Sequence, residues 1–344
     1  MGEREFALAI GPEHAPPINP SPWYAFRYRT VGDQNITVRL DYIDAKHRYR
    51  PKLSKNGTVS VLGAQVSEAG RHARLTLPAG GGIVSGQEIF GQARYDRLLD
   101  RLAKLQGSTR LTLGRSLDGR PLKALLLGSA KAPYLVVLIG RQHPPEVTGA
   151  LAMEAFLHEL AAQIAVGEVD LDRYRFLIVP MLNPDGVYHG HWRANRGGQD
   201  LNRDWGHFTQ PETQAVRNWL NDLSVDVCPI AMVDFHSTGR NLFYVQGKAE
   251  TDAAQEAFLS SWLGRAGPIP GYDFTIERRN ANPGSGTSKN WFHQRYGIPA
   301  YTYEVGDETD RTAIARSASL LARRFIPALV GLPGDTASRC NTTD

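Results

Sequence analysis

The chain has 344 residues, 42% of them hydrophobic and 22% charged, proportions of one large or two ordinary globular domains that exclude a disordered chain. Its 39 basic and 35 acidic residues leave a net charge of +4, spread without a Lys/Arg block, so no nucleic-acid partner is expected. No apolar run approaches the roughly 20 residues that cross a bilayer, so no helical membrane span and no membrane partner are expected. Met1–Ile10 has too short an apolar core for a signal peptide, and a cytoplasmic setting is the expectation.

Trp23–Tyr28 and Ile36–Tyr42 are short alternating segments, the pattern of half-buried strands. Asn56-Gly57 marks a two-residue hairpin, because both positions tolerate the positive φ that such turns need. Ala73–Leu77 reads as a further strand before Pro78. Together these predict a small antiparallel β-sandwich domain over residues 1–92. Pro78-Ala79-Gly80-Gly81-Gly82 breaks the alternation and reads as a linker. Residues 93–333 then read as an α/β domain, and 334–344 as a polar tail.

In that second domain Tyr134–Ile139, Phe176–Val179 and Ile230–Phe235 are apolar runs too short for helices and read as buried strands. Pro145 stands where a helix can begin, with Val147, Ala150, Leu151, Phe156, Leu157 and Leu160 as its apolar stripe. Pro211 opens another, carrying Val216, Trp219, Leu220 and Leu223. A third starts near Ser288 with Trp291 and Phe292 inward, and a last runs from Ala313 to Phe325. Alternating strands and helices predict an α/β fold with a mixed, largely parallel central sheet flanked by helices. Cys228 at a strand start and Cys340 in the tail have no metal-type spacing. Cys228 reads as a buried spare thiol, with a tail-tethering disulfide as the alternative.

Open sheets of this kind bind ligands beyond the carboxyl ends of their strands, and His143, Glu146, His236 and Glu304 leave the chain there. Two prolines between His143 and Glu146 stiffen the loop that joins a strand end to a first helical turn. Two imidazoles and a carboxylate with an open fourth position suit a catalytic zinc ion. The bland reading is a strand-end histidine and an unrelated glutamate at a helix N-terminus, where the dipole favours negative charge. The H-x-x-E spacing alone does not separate the two.

The wider sequence does. Arg141-Gln142-His143-Pro144-Pro145-Glu146, Asn183-Pro184-Asp185-Gly186, Trp192-Arg193-Ala194-Asn195-Arg196, Asp200-Leu201-Asn202-Arg203-Asp204-Trp205, Asp234-Phe235-His236-Ser237 and Tyr303-Glu304 follow one another in order. In this order they resemble the zinc carboxypeptidase family, which contains carboxypeptidase A. The chain is more similar to its cytosolic-carboxypeptidase-like branch, which has a β-sandwich in front. The resemblance spans about Tyr95 to Pro333.

The resemblance implies one Zn2+ per chain, held by His143, Glu146 and His236, and Glu304 as the base that takes a proton from water and passes it to the leaving amine. It implies that Arg196 faces the developing oxyanion, that Asn202 and Arg203 grip the substrate's terminal carboxylate, with Arg193 in the same binding set, and that Asp200 orients the first zinc histidine. Ordinary surface pairing of Arg193, Arg196 and Arg203 with Asp200, Asp204 and Asp185 is the competing reading. For Glu304 it is a solvated strand-end carboxylate. Asp234 reads as a structural partner, and His189, His191 and His207 as loop histidines.

Counting back from Glu304 in the family's register, Asn282 falls where many relatives carry a mobile active-site tyrosine, a place that Tyr272 or Tyr301 could take after a loop insertion. Lys289 falls on the position that lines the pocket for the terminal side chain. An ammonium group there favours a carboxylate; the alternative is a solvated helix lysine. The implied activity is removal of C-terminal residues, Glu or Asp by preference, from peptides or proteins. Two other readings remain open. One is an amidase acting on γ-glutamyl linkages of cell-wall stem peptides through the same zinc. The other is a silent module that holds peptide tails, against which Glu304 beside three intact ligands argues.

Overall fold

The computed structural model describes residues 5–15, 19–264 and 269–332; the predicted tail 334–344 and Cys340 lie outside the described residues. Two four-stranded sheets form the amino-terminal part. One orders β1 (Glu5–Ile10), β3 (Ile36–Tyr42), β7 (His72–Leu77) and β6 (Gln65–Val66), the other β2 (Ala25–Arg29), β8 (Gly81–Ser85), β4 (Lys52–Lys55) and β5 (Thr58–Val61). Along β7 every second residue is buried, the two-residue period of a strand with one face on a core. Leu40, Leu75 and Leu77 from one sheet meet Leu53 and Val84 from the other. Asn56 and Gly57 join β4 to β5 with φ of 51° and 79°, as the hairpin reading requires.

Two details depart from the sequence reading. β1 pairs with β3 in parallel, so the sandwich is not wholly antiparallel. Gly81 and Gly82 are not linker but the start of β8, between β2 and β4. Their lack of side chains serves close packing: a Cβ on Gly81 would lie 2.9 Å from Tyr28 O and one on Gly82 3.0 Å from Ser54 O, backbone atoms of the neighbouring strands.

The central sheet has eight strands in the order β15 (Thr275–Arg279), β14 (Leu242–Gln246), β16 (Ala300–Gly306), β13 (Cys228–Thr238), β11 (Tyr134–Gly140), β12 (Tyr174–Val179), β10 (Pro121–Leu127), β9 (Ser108–Arg115). The inner run from β16 to β12 is parallel, and antiparallel pairs flank it. Side chains of β11 alternate between two cores. Val136 and Leu138 join α1 (Gln92–Leu102), α2 (Val147–Ala165), α5 (Ala253–Leu259) and α7 (Arg311–Leu329), while Leu135, Val137 and Ile139 join α4 (Pro211–Asn221) and α6 (Ser288–Tyr296). Burial on both faces explains why these strands read as unbroken apolar runs. A short helix, α3 (Pro184–His189), follows β12.

Cys228 is buried at the start of β13 and is disulfide-bonded, so the spare-thiol reading is corrected; the proposed partner in the tail lies outside the described residues. Among the described residues no helix is long and apolar enough to cross a membrane.

Candidate active site

The loop after β11 begins with Arg141 in the left-handed region, φ 54°, a conformation that costs a non-glycine residue roughly 1 kcal/mol or more. Its buried guanidinium offsets this by donating to Pro144 O at 2.7 Å, Phe90 O at 3.1 Å and Tyr95 Oη at 2.9 Å. The bend turns His143 back over the sheet edge, and the loop delivers Glu146 as the residue that precedes α2. α2 then runs tight against β13: a Cβ on Gly149 would stand 2.5 Å from His236 O. That close approach brings Glu146 onto His236, two groups 90 residues apart.

Glu146 Oε1 lies 2.8 Å from His143 Nδ1 and Oε2 lies 2.7 Å from His236 Nδ1. The far nitrogens are held by other carboxylates: His143 Nε2 meets Asp200 Oδ1 at 2.8 Å, and His236 Nε2 meets Asp234 Oδ2 at 2.9 Å. Both Nδ1 atoms therefore face one point. All three side chains are buried, and their ligand atoms lie within 4.8 Å of one another, the one such group found among the described residues. An imidazole, an imidazole and a carboxylate, each with a second partner that fixes its orientation, fit a zinc ion.

The field inside this cluster is strong. Burial works against charge on Glu146, but His143 and His236 outweigh it and hold its carboxyl well below the usual range. Burial likewise opposes charge on His236, yet Asp234 and Glu146 hold its pKa well above the ordinary value. Asp200 is kept low because His143 and Arg193 outweigh its burial. Glu304 behaves differently: burial pushes its carboxyl up to about 7, and Oε2 has no hydrogen-bond partner. It stands on β16 directly across from His236 on β13.

These groups open into a cavity of about 650 Å³ lined by Arg48, Arg193, Arg203, Arg279 and Lys289 against two carboxylates, Glu146 and Glu304. Such a surplus favours an anionic ligand. Asn202 and Arg203 form a single 3₁₀ turn at the wall; Asn202 Oδ1 accepts from Ser288 N at 2.9 Å, and Arg203 Nη1 donates to Asn202 O at 2.7 Å. Lys289 is buried at the start of α6 and donates to Arg279 O at 3.0 Å, and burial lowers its pKa to about 8. It is not the solvated lysine of the bland reading.

Arg193 and Arg196 part company. Arg193 lines the cavity, its Nε 2.6 Å from Asp200 Oδ2. Arg196 is 51% exposed, pairs with Asp118 at 3.4 Å, and does not line the cavity. The geometry therefore contradicts the oxyanion position given to Arg196. In Trp192-Arg193-Ala194-Asn195-Arg196 the polypeptide turns so that the first arginine points inward. Nothing in the spacing of the two separates them.

The tyrosine substitutes are corrected as well. Tyr272 and Tyr303 bond to each other at 2.6 Å inside the core, Tyr301 is 1% exposed, and Asn282 lies in a neighbouring hollow beside Trp205 and Trp291. The tyrosine on the cavity is Tyr244 of β14, which pairs with Thr302, two residues before Glu304. Sequence reasoning also passed over Gln142 and Ser288, both of which donate to Asp234 Oδ2. Asp234 had a legible signal: two residues before His236 on a strand, it shares the histidine's face.

A metal-type donor set at the carboxyl edge of a mixed sheet, beside a base on the next strand, defines a metal-dependent hydrolase site. Residues 95–327 match the family model described as zinc carboxypeptidase, and the chain belongs to the zinc carboxypeptidase family. An uncharacterized protein of Zymomonas mobilis is 29% identical over 228 residues, 63% of this chain and 58% of its own. Cytosolic carboxypeptidase 6 of Mus musculus is 34% identical over 124 residues, 34% of this chain and 23% of its own. This chain thus matches little more than half of the first relative's length and under a quarter of the second's. In fold it is similar to a metallo-carboxypeptidase from Burkholderia cenocepacia, with a TM-score of 0.76 at 21% identity over 92% of this chain and 91% of that one. A metallo-carboxypeptidase from Pseudomonas aeruginosa, solved with (2-guanidinoethylmercapto)succinic acid, gives 0.73 at 20% identity over 96% of both.

Proposed function

We propose that this protein is a zinc-dependent metallocarboxypeptidase that hydrolyses the C-terminal peptide bond of peptides or proteins and prefers a terminal Glu or Asp. The observation that carries the reading is the convergence of His143, Glu146 and His236 beside Glu304 in one cavity. A zinc ion bound by the three side chains supplies Lewis acidity, which acidifies a water molecule and polarises a carbonyl. Glu304, free of hydrogen bonds at Oε2, takes the water proton and hands it to the leaving amine. Arg193, and not Arg196, faces the oxygen on which charge develops, because it is the arginine held in the cavity by Asp200. Asn202 and Arg203 receive the terminal carboxylate.

Lys289 sets the terminal preference in this reading: its buried ammonium lines the cavity and forms no salt bridge with any described carboxylate. Tyr244 faces the substrate where relatives use a loop tyrosine. Residues 1–92 and 93–333 are kept as the two functional units, with 334–344 as tail. The word cytosolic in relatives' names supports a cytoplasmic location; the Cys228 disulfide weighs against it, since such bonds persist in oxidising compartments. Cell fractionation decides that point.

The test is release of the last residue from peptides ending in Glu, Gln, Leu and Lys by zinc-loaded protein, with metal content measured on the same sample. The expected result is one bound zinc and fastest release of Glu. Equal rates for Glu and Gln sink the acidic preference, and cleavage of γ-glutamyl stem peptides alone favours the amidase.

A further inference from the structure

The loop between β3 and β4 belongs to the amino-terminal sheets, yet it reaches the catalytic cavity. Arg48 in this loop lines the cavity, its Nε 2.8 Å from Asp307 Oδ2 and its Nη1 2.6 Å from Ser21 Oγ. Two further contacts fasten this loop and the start of β4 to the turn after β16: Arg50 N donates to Glu308 Oε1 at 2.9 Å, and Lys52 Nζ donates to it at 2.9 Å. Arg48 is thus held rigidly by the turn that ends the strand bearing Glu304. Its Nη2 makes no hydrogen bond to any described residue, and three-quarters of the side chain is covered.

The registers place Arg48 and Lys289 on opposite sides of Glu304. Lys289 bonds to Arg279 O; Arg279 is level with Gln246, and Gln246 bonds the backbone of Ala300, four residues before Glu304. At about 3.3 Å per residue that is on the order of 13 Å toward the interior. Asp307, with Arg48 upon it, lies in the turn just past Gly306, where β16 ends, beyond the carboxyl side of Glu304. A peptide whose last side chain points at Lys289 and whose scissile carbonyl lies at the metal ligands leads its preceding residue past Arg48.

We propose that Arg48 forms a second specificity subsite, supplied by the amino-terminal sheets, that binds the side-chain carboxylate of the residue immediately before the scissile bond. This deepens the carboxypeptidase reading and rests on it. A guanidinium held through Nε and Nη1 that lines a cationic cavity matches a carboxylate, and its fixed position lowers the ordering cost of binding. The amino-terminal part is then not only a scaffold. It selects for two consecutive acidic residues at the end of a peptide.

The experiment compares two peptides that share a terminal Glu and differ only in Glu or Gln before it, using the zinc-loaded full chain. Wild type is expected to favour the Glu peptide roughly tenfold in kcat/KM, mainly through KM. Arg48→Gln is expected to bring that ratio near one, the loss falling on the Glu peptide, and Arg48→Lys to keep part of the preference. Equal wild-type rates, or an Arg48→Gln variant that slows both peptides alike, overturn the proposal. Should Arg48→Gln fail to fold, the wild-type ratio and Arg48→Lys still decide it. Calorimetric binding of both peptides to the zinc-loaded Glu304→Gln variant separates the two readings: tighter binding of the Glu peptide supports the subsite even where no terminal residue is released, and equal binding rejects it.

Discussion

The two walls of the cavity are built on different principles. The inner wall is strand edge: His236 and Glu304 stand side by side on β13 and β16, in a register set by parallel backbone pairing. The outer wall is loop: Arg193, Asn202 and Arg203 come from residues 190–205 and Arg48 from the segment before β4, Asn202 and Arg48 held by distant segments and Arg193 and Arg203 by bonds within their own loop. The comparison teaches that His236 and the proposed base are placed by the regular backbone pairing of the sheet. The groups proposed to bind substrate sit on loops whose contacts can be rearranged without disturbing the sheet.

The strongest way to break this picture is at the inner wall. Glu304→Gln is expected to keep its zinc and lose about a thousandfold or more in kcat, whereas His143→Ala loses both metal and activity. Metal analysis beside turnover checks this, and an active Glu304→Gln enzyme removes the proposed base. Next comes the pair of arginines. Arg193→Ala should cost about 10² to 10³ in kcat, and Arg196→Ala less than about twofold, as expected of an exposed pair; the reverse result restores Arg196.

A smaller effect concerns the carboxylates behind the histidines. Asp234→Ala leaves the His236 imidazole without its outer partner, and a 10 to 100-fold loss of zinc affinity is expected, measured by competition with a chelator. The smallest is a pH effect behind the loop wall, where Asn195 donates to Glu212 Oε2. Glu212, at the start of α4, is fully buried with Oε1 unpartnered, and burial pushes its pKa from 4.5 up to about 7. The protonated form is therefore the one that the fold tolerates. Its contribution is present below about pH 4.5 and is lost as pH rises through about 7. Glu212→Gln should raise thermal stability at pH 8 by on the order of 2 kcal/mol and change little at pH 4; a shift of the same size at both pH values rejects this account.

What was legible in the residues follows the same division. The buried runs Tyr134–Ile139 and Ile230–Phe235 announce parallel strands because both faces must be apolar, and a histidine just past such a run lands on the ligand-binding edge. Pro211 and Ser288 mark helix starts, where α4 and α6 begin. Gly81-Gly82 misled because a glycine that opens a linker and one that lets two strands approach look alike without the neighbour. Tyr272 and Tyr301 misled because the direction of a side chain on β16 or in the loop before β15 depends on register and not on composition.

The order of residues by itself determined the α/β class and the sandwich in front of it, and brought His143, His236 and Glu304 to the sheet edge, because short-range periodicity dictates which residues end a buried strand; the roles of ligand and base came from the resemblance. Folding alone settled which arginine turns inward, that Tyr244 faces the cavity, and that Arg48 crosses from the amino-terminal sheets to the site. Those placements arise from contacts between segments up to 259 residues apart, and no local pattern carries the direction of a side chain over such a distance.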